Sequence, residues 1–262
     1  MNAPTNVALV TGASTGIGAV YADRLARRGY ALVLVARDAQ RLDAVAERLR
    51  AATGVAVEVA VADLTEDADV ARIERRLRSG DVTLLVNNAG MSLRGGLLDN
   101  EPAALERIIA LNVTAPTRLS AAAAKAFVER GAGAIVNLSS VLALAPEMFE
   151  GIYSGTKAYL LNLSQAMAAQ LGPRGIYVQA VLPGATRTEL WEKAGRDVNE
   201  FPPGFLMEVE DMVDAALVGF DRRETVTIPP LPDEGQFRAL QQARLAMAPN
   251  LSRSEVPARY RR

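Results

Sequence analysis

The sequence predicts an α/β domain in which a parallel sheet is covered by helices on both faces. Short apolar runs alternate along the chain with longer segments of helical periodicity, and the short runs are apolar at nearly every position. Strands buried on both faces require such runs, whereas a strand with one solvated face alternates apolar and polar residues. A glycine-rich segment also joins the first run to the first helical segment. The 262 residues are enough for one large domain of this class.

Each element follows from its local pattern. The predicted strands are residues 7–11, 31–36, 55–61, 82–87, 134–138, 176–182 and a short last strand at 225–228. The predicted helices between them are residues 16–29, 38–52, 66–79, 102–130 and 151–171. Because strands and helices alternate, right-handed crossovers are expected to connect neighbouring parallel strands.

Two segments interrupt this alternation. Residues 187–222 precede the last strand, and we interpret them as a substrate lid within a catalytic domain of residues 1–228. Residues 229–262 carry a helical patch near 236–246 and are interpreted as a C-terminal extension packed on that domain. Large apolar side chains are expected near the cleft, either as lid packing or as substrate contacts: Met148, Phe149, Trp191, Phe201, Phe205 and Met207.

Composition excludes several classes of chemistry and favours a small-molecule enzyme. The chain has no cysteine and no histidine, so disulfides, thiolate nucleophiles, Ser-His-Asp triads and the usual zinc sites are excluded. A carboxylate-only Mg²⁺ or Ca²⁺ site remains open, but no loop has the spacing for one, and no metal site is expected. A net charge of −1 gives no electrostatic reason to expect nucleic acid or a membrane surface as partner. Residues 1–5 lack the layout of a signal peptide, and we expect a cytoplasmic protein.

The glycine-rich segment 11–18 is typical of a phosphate-binding loop. Gly12, Gly16 and Gly18 allow a tight turn and a close approach of the backbone to a phosphate, and the following helix offers free N–H groups. The spacing differs from the usual dinucleotide fingerprint. An ordinary strand-to-helix turn therefore remains the alternative when this segment is taken alone.

Tyr153 and Lys157 can form an acid/base pair without histidine. They are four residues apart on a predicted helix and therefore share one face. An ammonium beside a phenol favours the phenolate, as would the positive ring of an oxidised nicotinamide. The two positive charges together are expected to move the pKa of Tyr153 from about 10 to about 7–8. Ser140 can stabilise charge on a reacting oxygen, with Ser139 as the alternative. Taken alone, the Tyr–Lys pair could be a surface pair and the serines could be turn residues.

Six motifs in register give the chain a strong resemblance to the short-chain dehydrogenase/reductase family. They are residues 11–18, the Asn-Asn-Ala-Gly run at 87–90, Asn112, Ser140, the pair Tyr153 and Lys157, and residues 183–188. The resemblance covers about residues 5 to 228. It implies a single domain with a Rossmann-type doubly wound parallel sheet of about seven strands, in the order 3-2-1-4-5-6-7.

The resemblance also implies a role for each matching residue. The catalytic tetrad would be Asn112, Ser140, Tyr153 and Lys157, with Asn112 at a local helix break that leads through a water to the lysine. Asp63 and Leu64 would contact the adenine, Thr188 the carboxamide, and Asn87 would steady the sheet. The full predicted cofactor-binding set is Gly12, Ser14, Thr15, Gly16, Ile17, Gly18, Arg37, Asp63, Leu64, Asn88, Ala89, Gly90, Tyr153, Lys157, Pro183, Gly184 and Thr188.

The end of the second strand indicates the cofactor. Ala36 stands where an acid would accept from the ribose hydroxyl of NAD, and Arg37 follows it. A guanidinium suits a 2′-phosphate, so NADP(H) is expected to be preferred, with NAD(H) possible. Alternatively, Arg37 pairs with Asp38 or Asp63 or is solvated, and Asp38 only caps the next helix. Asp63 can likewise serve the start of its own following helix.

These expectations define an oxidoreductase that transfers a hydride between NADP(H) and a carbonyl or secondary alcohol. Tyr153 would be the general acid/base, the substrate would be largely apolar, and the resemblance implies a homodimer or homotetramer. A non-catalytic dinucleotide-binding sensor or scaffold on the same fold is the alternative. Epimerases and dehydratases of the extended relatives fit less well, because they carry a larger C-terminal substrate domain.

Overall fold

The computed structural model describes residues 6–148, 151–193 and 197–261. Within these ranges seven strands form one parallel sheet in the order β3-β2-β1-β4-β5-β6-β7, which confirms the predicted order. The strands are β1 Val7–Thr11, β2 Ala31–Ala36, β3 Val57–Val61, β4 Val82–Asn87, β5 Gly133–Leu138, β6 Ile176–Val181 and β7 Val226–Thr227. The sheet is parallel between every pair of neighbours.

Helices connect the strands as predicted, with one difference in the region 102–130. The helices are α1 Gly16–Arg27, α2 Ala39–Thr53, α3 Asp67–Leu77, α4 Pro102–Ile109, α5 Ala115–Arg130, α6 Gly151–Leu171, α7 Leu190–Lys193, α8 Val209–Asp221 and α9 Glu234–Ala246. The single long helix predicted at 102–130 is two helices joined by a π-turn, Ala110–Thr114. The turn holds the buried Asn112, whose side chain bonds to a neighbouring loop rather than facing solvent.

Both faces of the sheet are buried, which explains the uniformly apolar strands. On one face Ala8 and Val10 pack with Tyr21 of α1, and on the other Leu9 packs with Phe127 of α5. Strand side chains alternate between the two faces, so each run contributes to both clusters. The carboxyl ends of the strands are thereby held in one rigid layer.

The segment predicted as a lid, residues 187–222, has two different parts. Its second part is α8, whose Val209, Met212, Val213, Ala216 and Leu217 are buried in the same cluster as α1. That part of the prediction is wrong, because apolar residues at helical spacing place α8 in the core. Residues 187–193 and 197–207 are the part that can border a cleft.

The chain divides into two units, Met1–Pro230 and Leu231–Arg262. The second unit contains α9, which is capped by Asp233 as its carboxylate accepts a hydrogen bond from the N–H of Gly235 at 2.8 Å. In the part of the chain that the structure describes, no helix combines the length and the apolar character needed to cross a membrane.

Candidate active site

A cleft with a cavity volume of about 950 Å³ lies at the carboxyl ends of the strands. Its wall is formed by the loop after β1 and by residues that follow β2, β4, β5 and β6, together with the first turns of α6. The chain order reverses between β1 and β4, and ligands of open α/β sheets bind at such a switch point. The predicted site residues therefore converge where the topology favours a ligand.

The loop after β1 has the geometry of an anion-binding turn. Gly12 and Gly16 have φ values of 66° and 53°, in the left-handed region that favours glycine. A Cβ on Gly18 would lie 2.3 Å from the carbonyl oxygen of Gly12, so the helix could not approach the loop with any side chain there. Thr15 begins α1 without a side-chain cap, and the first N–H groups of that helix remain available to a phosphate.

Hydrogen bonds join the start of this loop to the two residues that follow β4. The hydroxyl of Thr11 accepts from the backbone N–H groups of Asn88 and Ala89 at 2.9 and 3.0 Å. The side-chain amide of Asn88 donates to the carbonyls of Thr11 and Gly12 at 2.9 and 3.2 Å. Asn87 instead donates to the buried Asn137 of β5 at 2.9 Å, in keeping with the sheet-steadying role implied for it.

Ser140, Tyr153 and Lys157 lie together in the cleft wall. The hydroxyls of Ser140 and Tyr153 are hydrogen-bonded to each other. Lys157 is buried, its Nζ lies 5.6 Å from the centre of the Tyr153 ring, and it donates to the carbonyl oxygen of Leu138 at 2.8 Å. Ser139 is buried behind them and donates to the carbonyl of Lys157 at 2.7 Å, so Ser140 is the serine that reaches the tyrosine.

Burial, rather than the neighbouring lysine, dominates the pKa values of this group. Desolvation raises the pKa of Tyr153 to about 12, and the hydrogen bond with Ser140 opposes this rise. Desolvation also lowers the pKa of Lys157 to about 8. The predicted fall in the pKa of Tyr153 includes the charge of an oxidised nicotinamide, and in the protein alone burial raises this pKa instead.

Asn112 connects the loop after β4 to the helix that carries Tyr153 and Lys157. It accepts from the N–H of Met91 at 2.9 Å, and its Nδ2 donates to the carbonyl of Met91 at 2.8 Å and to the hydroxyl of Thr156 at 3.1 Å. A Cβ on Gly90 would lie 3.4 Å from both the Asn112 Oδ1 and the Lys157 Nζ. Gly90 therefore lies next to both of these polar atoms.

Arg37 lines the cleft directly after β2, and it also has a carboxylate partner. It lines the cleft with Leu64, while its Nη1 lies 3.5 Å from the Asp63 carboxylate. Asp63 accepts from the N–H and the hydroxyl of Thr65 at 2.9 and 2.7 Å, which is the local capping role. Asp38 caps α2 through the N–H of Arg41 at 3.0 Å, as the alternative interpretation expected.

Most of the predicted site residues line the cleft. Those that line the cleft are Gly12, Ser14, Thr15, Gly16, Ile17, Arg37, Leu64, Asn88, Ala89, Gly90, Ser140, Tyr153, Lys157, Pro183, Gly184 and Thr188. Gly18, Asp63 and Asn112 do not line the cavity, but each lies next to a residue that does, namely Gly12, Arg37 and Met91. Among the described residues, no group of three or more Asp, Glu, His or Cys side chains is placed to hold a metal ion.

Three aromatic side chains that line the cleft pack against one another. The rings of Trp191 and Phe201 meet edge to face with centres 4.8 Å apart, and Phe201 stacks on Phe205 at 5.5 Å. The indole N–H of Trp191 donates to the carbonyl of Thr186 at 2.7 Å, which fixes the first ring. These three rings and Met148 line the cavity. Met207 packs against the core instead, and Phe149 lies outside the described residues.

Sequence reasoning missed two charged residues of the wall, Arg41 and Glu189. Arg41 lies in the first turn of α2, four residues after Arg37, which precedes that helix. Glu189 directly follows Thr188, but no local pattern indicates that it reaches α2. Their contact depends on tertiary structure.

Comparisons with known proteins agree with this site. A short-chain dehydrogenase from Sphingobium yanoikuyae in complex with NADPH is 55% identical, with a TM-score of 0.95 over 98% of this chain and 100% of that one. The bulky-bulky ketone specific alcohol dehydrogenase from Comamonas testosteroni is 47% identical, with a TM-score of 0.91 over 98% and 99% of the two chains. Human 17-beta-hydroxysteroid dehydrogenase type 3 is 32% identical over 185 residues, which are 70% of this chain.

The match to the human enzyme spans only 60% of that relative's length. The profile of the short chain dehydrogenase family matches residues 6–199, which include the glycine loop and the Ser-Tyr-Lys group. The chain therefore belongs to the short-chain dehydrogenases, a family of oxidoreductases that use a nicotinamide dinucleotide.

Proposed function

We propose that the protein transfers a hydride between NADP(H) and a carbonyl or secondary alcohol, with Tyr153 as the general acid/base. The observation that carries the proposal is the hydrogen-bonded pair Ser140 and Tyr153, in one cleft with Lys157 and the glycine loop. A proton donor, a second hydroxyl and a dinucleotide-sized cavity together match the needs of carbonyl reduction.

The protonation states favour the reductive direction. With a pKa of about 12, Tyr153 keeps its proton at neutral pH and can donate it to the carbonyl oxygen of a substrate. Ser140 donates to the same oxygen and stabilises the negative charge that develops on it. Lys157, with a pKa of about 8, is mostly cationic at neutral pH and favours the phenolate that remains. The bound nicotinamide supplies the hydride.

The cofactor proposal rests on the fit between the wall and a phosphorylated dinucleotide. The open N-terminus of α1 and the backbone of Gly12 and Gly16 suit the pyrophosphate. The guanidinium of Arg37, which is 59% exposed, can exchange its long contact with Asp63 for a 2′-phosphate. The NADPH bound to the Sphingobium relative supports the same preference here.

The aromatic side chains of the cleft support an apolar substrate with a sizeable group. Trp191, Phe201 and Phe205 present ring surface rather than charge, and Phe205 is half exposed toward the cavity. The Comamonas relative is described as specific for bulky-bulky ketones. We extend that class to this chain, namely ketones that carry large substituents on both sides of the carbonyl.

Replacing Tyr153 with phenylalanine tests the mechanism. The variant keeps the ring and the cleft, so NADPH should still bind with its normal affinity in a fluorescence titration, while ketone turnover falls by about 10²–10⁴-fold because the proton donor is lost. Residual turnover close to wild type would contradict the proposed role.

The alternative of a non-catalytic sensor makes a different prediction. A panel of aldehydes and ketones of increasing substituent size is assayed by NADPH oxidation at high enzyme concentration. Turnover that increases with substituent size supports a bulky-ketone reductase. NADPH binding without turnover of any member would favour the sensor.

A further inference from the structure

An ion pair between Arg41 and Glu189 spans the cleft. The Nη1 of Arg41, in the first turn of α2, donates to both carboxylate oxygens of Glu189 at 3.0 and 2.8 Å, although 148 positions separate the residues. Asp38 also lies 3.5 Å from the Arg41 Nε. Both Arg41 and Glu189 line the cavity and are about half exposed, at 52% and 41%.

The segment that carries Glu189 lies against the glycine loop. The Cγ2 of Thr188 is only 3.4 Å from the position that a Cβ on Gly16 would occupy. The base of the segment is fixed, because the N–H of Arg187 donates to the carbonyl of Met207 and the N–H of Met207 donates to the carbonyl of Ala185, both at 2.9 Å. The ion pair therefore connects α2 to a segment that crosses the phosphate-binding turn.

We propose that Arg41 and Glu189 close the cleft across the bound dinucleotide and slow its exchange. This inference rests on the proposed function, since it requires that a dinucleotide binds in the cleft. The pair links two walls of the protein to each other, so breaking it is a step of cofactor release. Because the ion pair does not involve a 2′-phosphate, it should slow the release of NADH and of NADPH alike. The proposed contact of Arg37 with the 2′-phosphate should instead favour NADPH.

The size of the effect follows from the exposure of the pair. Half-exposed ion pairs contribute little, and their loss corresponds to about a twofold to fivefold change in a rate. Salt screens such a pair, so wild-type release should become faster as salt rises, and variants that lack the pair should respond less.

Dissociation rates test the proposal directly. The bound dinucleotide is displaced from wild type, Glu189→Gln, Arg41→Gln and the double variant in a stopped-flow instrument, and the fluorescence of NADPH or NADH is followed. We expect each single variant to release both dinucleotides about twofold to fivefold faster, with no further increase in the double variant. The reversed pair, Arg41→Glu with Glu189→Arg, should recover part of the slow release.

The exposed pair of Arg28 and Asp221 is a matched control. Its two contacts, 2.9 and 3.0 Å, are as short, but neither residue lines the cleft. Arg28→Gln and Asp221→Asn should leave both release rates unchanged. Equal rates in wild type and Glu189→Gln, or a change confined to NADPH in Arg41→Gln, would overturn the proposal. Wild type that binds neither dinucleotide would instead contradict the proposed function.

Discussion

The side chain of Asn112 forms hydrogen bonds with both backbone polar groups of Met91, accepting from its N–H at 2.9 Å and donating to its carbonyl at 2.8 Å. A third bond joins Asn112 to Thr156, one residue before Lys157. One side chain in a π-turn therefore sets the distance between the loop after β4 and the helix that carries Tyr153 and Lys157.

Replacing Asn112 with alanine should destabilise the protein and impair turnover together. The backbone groups of Met91 lose their partners, and unsatisfied groups in a partly buried site cost about 1–3 kcal/mol. In a chain of this size we expect the melting temperature to fall by roughly 4–8 °C, measured by differential scanning fluorimetry. Asn199→Ala, which removes an exposed side-chain hydrogen bond to Asp197, is the control and should shift the melting temperature by less than about 1 °C.

The positions of secondary structure could be predicted because each depends on local pattern. The break at Asn112 was anticipated only through the resemblance to a family, since asparagine in a helix does not by itself indicate a π-turn. The contact of Arg41 with Glu189 could not be predicted, because it joins residues 148 positions apart. The rise in the pKa of Tyr153 in the protein alone could not be predicted, because sequence spacing reveals the neighbouring charge but not the depth of burial.

Replacing Arg37 with alanine should weaken NADPH binding far more than NADH binding. A hydrogen bond to a charged group contributes about 1.5–3 kcal/mol, so the dissociation constant for NADPH should rise about tenfold to hundredfold. NADH lacks the 2′-phosphate and serves as the internal control in the same calorimetric titration. Equal losses for the two dinucleotides would refute the phosphate contact.

Lys157 should make the stability of the protein increase in mildly alkaline solution. Burial lowers its pKa to about 8 from 10.5, so above pH 8 the folded state releases a proton that the unfolded state still holds. Stability rises with pH wherever the unfolded state binds more protons, here by about 2 kcal/mol between about pH 7.5 and 9.5. The measurement is urea unfolding of the dinucleotide-free protein.

The control for this pH effect is Lys157→Met, which fills the same space without a titrating group. Its unfolding free energy should lack the alkaline gain, so the difference between wild type and variant isolates the lysine from all other groups. Parallel curves for the two proteins would mean that the ammonium is solvated rather than buried.

Changing glycine to alanine should have opposite effects on the stability of the protein at Gly18 and at Gly155. At Gly18 the new Cβ would overlap the Gly12 carbonyl and the Asn88 amide, at 2.3 and 2.5 Å, so stability should fall by about 1–3 kcal/mol and dinucleotide binding should weaken. At Gly155, inside α6, nothing lies within 4 Å of the new Cβ. Gly155→Ala should therefore stabilise the protein by about 0.5–1 kcal/mol. Urea unfolding measures both.

The hydrogen bonds that join Thr11 and Asn88 affect how long the phosphate-binding turn stays in place. Since these bonds lie between the two central strands, the phosphate-binding turn cannot detach unless β1 parts from β4. The backbone amides of Asn88 and Ala89, which donate to Thr11, should then take up deuterium only as fast as the innermost strands do. Any substitution that weakens the centre of the sheet, however distant from the cleft, would shorten the time for which the phosphate-binding turn keeps the conformation that can bind a nucleotide.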